Sequence, residues 1–146
     1  MTAVHAILGV ALTALFGVAG LLGGWRWWRA QDSPGFWRTL RLAQGLVVVQ
    51  AVLGGALLLA GRRPDDKLHY LYGLLPLVVG FVSEQLRLAA ADTVLAARGI
   101  ESSSEVAGLP EPDQRALIVA ILQRELGVMA VGAGVAFGLC IRAGLT

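Results

Sequence analysis

The chain has 146 residues, 56% of them hydrophobic and 15% charged, with a mean hydropathy of +0.69. A small soluble domain leaves much of its chain facing water, so this much apolar surface excludes one and calls for lipid; the length allows a single domain. The formal charge of +2 carries no basic cluster interleaved with stacking aromatics outside the membrane flanks, and the single cysteine, Cys140, can form neither an internal disulfide nor a thiolate metal site.

Thr2 to Gly24 holds no ionisable residue except His5 and is long enough to cross a hydrocarbon core of about 30 Å. Without a basic n-region, and with too long an apolar run, it does not read as an ordinary signal peptide. The stretch GGWRWWRAQD follows, in which Trp25, Trp27 and Trp28 with Arg26 and Arg29 form an interfacial girdle, indole among headgroups and guanidinium in water. SPGF, from Ser33 to Phe36, is a turn. The expected spans are about 3–24, 37–60, 68–88 and 122–143, each read from its apolar run.

The third and fourth apolar cores are short, and polar residues continue them in helical register. Leu86, Ala90, Val94 and Ala97 recur at helical spacing, as do Leu117, Ile118, Ile121 and Leu122. The pattern predicts two helices that leave the membrane side by side as an antiparallel hairpin over 84–124, joined by a loop at 99–111. Gly99 is placed for a left-handed cap, and Pro112 for the first position of the returning helix. Pairing through this loop sets Glu84 opposite Arg124 and Arg87 close to Glu125, as ion pairs that make charge at the bilayer edge tolerable.

The first loop and the hairpin carry Arg26, Arg29, Arg38, Arg41, Arg87, Arg98, Arg115 and Arg124, against Arg62, Arg63, Lys67 and Arg142 on the other side. The positive-inside rule then puts both termini outside a cell membrane and the hairpin in the cytoplasm. Small residues offer packing faces: Gly9, Thr13, Gly17, Gly20 and Gly24 in the first segment, and Ala130, Gly134 and Gly138 in the fourth. The fold class expected is all-α, an integral membrane four-helix bundle whose last two helices extend into the cytoplasm. These smooth faces outnumber what a compact bundle needs, which points to other membrane subunits, or copies of the chain itself, as partners.

In GRRPDDKLHYLYGLLPLVVG, His69 lies one turn before Gly73, as His5 lies one turn before Gly9. Both histidines therefore fall on small-residue faces near the same membrane surface. Two imidazoles from different helices at one depth suit a six-coordinate haem b, or a copper or zinc shared with a carboxylate such as Asp65 or Asp66. The plainer reading is a pair of polar anchors packed at the interface.

LAQGLVVVQAVLGGALLLAGRRPDDKLHYLYGLLPL, residues 42–77, resembles the helix pair of haem A synthase, in which a Q-x-x-L-G-G helix precedes a helix beginning with histidine. Gln50, Leu53, Gly54, Gly55 and His69 are the matching residues. The resemblance implies one four-helix half of that eight-span fold, with His69 in the place of a haem-binding histidine; His5 lies outside the matching stretch. The family's intramembrane His-Arg motif and carboxylate nucleophile are missing, so it implies no synthase activity. Two functions follow as expectations. The first is a non-catalytic, multi-pass accessory or structural subunit of a larger membrane complex of the energy-transducing kind. The alternative is a bis-histidine haem b protein of the membrane.

Overall fold

The computed structural model describes residues 2–146 and is all-helical over that range. Its elements are α1 (Thr2–Trp28), α2 (Pro34–Leu59), α3 (Leu68–Leu88), α4 (Ala90–Ala97), α5 (Ser103–Gly108) and α6 (Glu111–Gly144). Four stretches, Ala3–Trp28, Pro34–Leu59, Leu68–Ala97 and Glu111–Gly144, are long and apolar enough to cross a membrane. The third of these takes in α4, which continues α3 after a single turn residue, Ala89.

Local chemistry sets the ends. Ser33 caps α2, its hydroxyl accepting from the Phe36 amide at 3.2 Å, and Pro34 follows where a missing N–H does no harm. Gly61, at φ +77, and Gly99, at φ +66, turn the chain out of α2 and α4 in the left-handed conformation glycine tolerates. Ala30, at φ 50, ends α1 in the same conformation without being glycine, beside a Gln31 amide that reaches back to the Arg26 carbonyl at 3.0 Å. The loop of the hairpin contains a helical turn, α5, where the sequence spacing suggests only a linker. Its cap is Ser102, which accepts from the Glu105 amide.

The four long helices run antiparallel to their neighbours. Between α1 and α6, Gly17 meets the Phe137 ring, Gly20 the Gly134 backbone, Gly23 the Ala130 methyl, and Trp27 the face of Gly127. Between α1 and α2, His5 lies on Gly54, the Gln50 amide on Gly9, and Phe36 on Gly23. Ser83 of α3 packs on Gly132 of α6 so closely that a methyl there would collide with its hydroxyl. Helix α6 is the most enclosed, with 44% of its apolar window buried against 17–22% for the others. The core consists of Leu12, Phe16 and Ala19 of α1, Phe36, Leu40, Ala43 and Val47 of α2, and Leu126, Met129, Ala130, Ala133, Ala136 and Cys140 of α6. Cys140 is thus a packed core side chain.

Two packing expectations are corrected. The α1 contact falls on Gly23, since nothing lies within 4 Å of the place a Gly24 side chain would occupy. Glu84 is met by Arg41 of α2, because α2 and not α6 presents its arginine at that level; Arg124 is exposed.

Candidate functional site

Two polar layers interrupt the apolar interior. One lies where α2, α3 and α6 approach the α1–α2 turn. Arg41 donates to Gln44 Oε1 at 2.6 Å and also to Glu84, while Gln44 Nε2 donates to Glu84 Oε1 at 3.0 Å. Arg87 Nε donates to Glu84 Oε2 at 2.9 Å, and its Nη1 stands 3.6 Å from Glu125 Oε2. The Trp37 ring lies 6.0 Å from each of the two guanidinium carbons. Both carboxylates are therefore held by arginine within a closed network, which uses their charge for cohesion between helices. Beneath it is a cavity of about 10 Å³, room for about one water, lined in part by Gln44, Ser83 and Met129.

The second layer lies at the opposite end, beside the carboxyl end of α6. Pattern places His5 and His69 near each other, and their rings stand with centroids 6.1 Å apart, tilted by 54°. Each ring is seated differently. His69, in the first turn of α3, has Nδ1 at 2.9 Å from the Ala143 carbonyl oxygen of α6. His5 rests on the bare backbone of Gly54, its Cε1 3.2 Å from where a Cβ would be. Its own carbonyl accepts from Gln50 Nε2 at 2.8 Å. His5 Nδ1 and Gln50 Oε1 are buried and have no protein hydrogen-bond partner.

The two aspartates before α3 do other work. Asp66 Oδ1 accepts from the amide of Leu68, the first residue of α3, at 2.8 Å, and Asp65 is exposed. Among the described residues no group of three or more His, Cys, Asp or Glu side chains is arranged to hold a metal ion. The further polar side chain at this level is Gln50, an amide outside that set, bonded to the His5 carbonyl. Its place three residues before the Leu53–Gly54–Gly55 stretch was legible in the sequence, but its hydrogen bond to a helix-end carbonyl was not. Ala143, whose side chain carries no signal at all, contributes through its backbone.

A haem b can be tested against this geometry. The ring separation suits two axial ligands on one iron. The width of a porphyrin does not fit the space beside them: the Gly9 face is filled by the Gln50 amide, at 3.2 Å from a Cβ position, and the Gly54 face by His5 itself. Only the Gly73 face is open. Comparison with family models, curated proteins and solved structures returned no match.

Proposed function

We propose that this chain is a four-span integral protein of the cell membrane, a four-helix bundle with both termini outside and the α3/α4–α6 hairpin in the cytoplasm. In this reading it performs no catalysis of its own and serves as an accessory or structural subunit of a larger membrane assembly, or of a homo-oligomer. One observation carries the reading. Val131, Gly134, Val135 and Gly138 of α6 are all exposed, and although the Gly134 backbone borders Gly20 of α1, nothing lies within 4 Å of a side chain placed at either α6 glycine. In lipid, helices associate by close backbone approach at small residues, so this face is suited to a neighbouring helix. The tying of Glu84 and Glu125 to arginines supports a structural use of the charged residues.

Because the Gly134 substituent position is open, Gly134→Leu separates assembly from folding. Native electrophoresis of mild-detergent extracts is expected to show the wild type in a complex larger than the monomer and the Gly134→Leu chain as a monomer of unchanged helicity. Unchanged migration of the variant would mean that this face looks at lipid.

The second reading, a bis-histidine haem b protein, is favoured by the 6.1 Å separation of His5 and His69. It requires the Gln50 amide to leave the groove between α1 and α2. An optical spectrum of the purified protein before and after dithionite decides it: a reduced b-type band lost in His69→Ala supports it, and a colourless, fully assembled protein removes it.

A further inference from the structure

The histidine layer holds more unsatisfied donor chemistry than anchoring at a membrane surface requires. A carbonyl oxygen can only accept, so His69 Nδ1 donates its proton to Ala143 O and, in the neutral ring, the lone pair resides on Nε2. A backbone carbonyl that fixes one ring nitrogen and frees the other is the usual support of a metal-bound histidine. Within 6.1 Å, centroid to centroid, is the His5 ring, whose Nδ1 is buried and unpartnered. Gln50 has its amide nitrogen committed to the His5 carbonyl, which leaves Oε1 as a second buried atom without a partner. Each such orphan keeps its desolvation penalty uncompensated, and a cation offers what a buried lone pair lacks.

We propose that His5 and His69, with the amide oxygen of Gln50 as a third donor, bind one imidazole-preferring transition-metal ion, Zn2+ or Cu2+. Imidazole suits both ions, and an amide oxygen is accepted as a weaker additional ligand. A metal about 2.0–2.1 Å from one nitrogen of each ring sets the two centroids about 5 Å apart in tetrahedral and about 6.4 Å apart in linear coordination, so the observed 6.1 Å corresponds to a wide nitrogen–metal–nitrogen angle. A bare ion also needs no slot between the helices, so Gln50 keeps its hydrogen bond to His5. The site is independent of the accessory-subunit reading and stands or falls separately from it.

The test uses the full-length protein in mild detergent, stripped with chelator and titrated separately with ZnCl2 and CuSO4, with bound metal measured by atomic emission. One ion per chain is expected for whichever metal the site takes. His5→Ala and His69→Ala should each weaken binding by about 100-fold and Gln50→Leu by about 10-fold, with helicity unchanged by circular dichroism. Absence of one-to-one binding of either metal by the wild-type chain overturns the proposal, whatever the folding of the variants. So does undiminished binding by a His5→Ala/His69→Ala double variant. A b-type absorbance in the purified protein that vanishes with either histidine assigns the pair to haem instead and likewise overturns it.

Discussion

Gly23 and Gly24 are adjacent in sequence and opposite in consequence. A Cβ on Gly23 would lie 2.6 Å from the Phe36 ring and 2.8 Å from the Ala130 methyl, whereas one on Gly24 would meet nothing within 4 Å. Gly23→Ala is therefore expected to destabilise by about 1–3 kcal/mol through overpacking. Gly24→Ala should stabilise by up to about 1 kcal/mol through helix propensity, and thermal unfolding in detergent compares the two. Helical spacing from Gly20 admits either glycine, so the choice was not legible until the neighbouring side chains were in place. The same holds for Glu84. Its register identified Arg87–Glu125 as a pair, at 3.6 Å, but the arginine that meets Glu84 from another helix comes from α2, outside the hairpin. Glu84→Ala should lower stability by about 2 kcal/mol, because it leaves Arg41, Gln44 and Arg87 without their shared acceptor. Arg124→Ala, at an exposed position, should change it by no more than about 0.5 kcal/mol. A reversed order would restore the α3–α6 pairing read from the sequence.

At the scale of elements, the apolar runs made the long helices legible because each run exceeds what any soluble element of this size could bury. The short helix α5 was read only as a loop, although its sequence holds a signal of a different kind. Ser102 and Glu105 have the spacing of a capping box, and the Glu105 carboxylate accepts from Ser102 Oγ at 3.0 Å and from the Glu101 amide at 3.3 Å. A polar loop obscured that signal, since Ser and Glu are equally at home in a linker. Loss of the cap in Ser102→Ala should cost about 1 kcal/mol of local stability. Cleavage at Glu105 by a glutamate-specific protease should then speed up about 5-fold. An unchanged rate would show that α5 is held by something other than its cap. Helix α6 is the opposite case. Its 34 residues span about 51 Å at 1.5 Å per residue, well beyond a hydrocarbon core of about 30 Å. Its amino-terminal turns therefore stand clear of the lipid in the proposed membrane arrangement, where they pack with α3 and α4.

For the molecule as a whole, two polar layers at opposite ends of an apolar interior give the chain an axis. The histidine layer could be anticipated because both rings extend small-residue stripes by one turn. What could not be anticipated was their different seating, His69 on the backbone carbonyl of Ala143 in α6 and His5 on Gly54 in α2. Which layer faces the cell interior follows only from arginine placement, and this orientation underlies the proposed membrane arrangement. Single cysteines at Asp65 and Ser104, in a Cys140→Ala background, measure it directly with a membrane-impermeant thiol reagent. The four-span account predicts labelling at position 65 in intact cells and at position 104 only after permeabilisation. Labelling of position 104 in intact cells would contradict it.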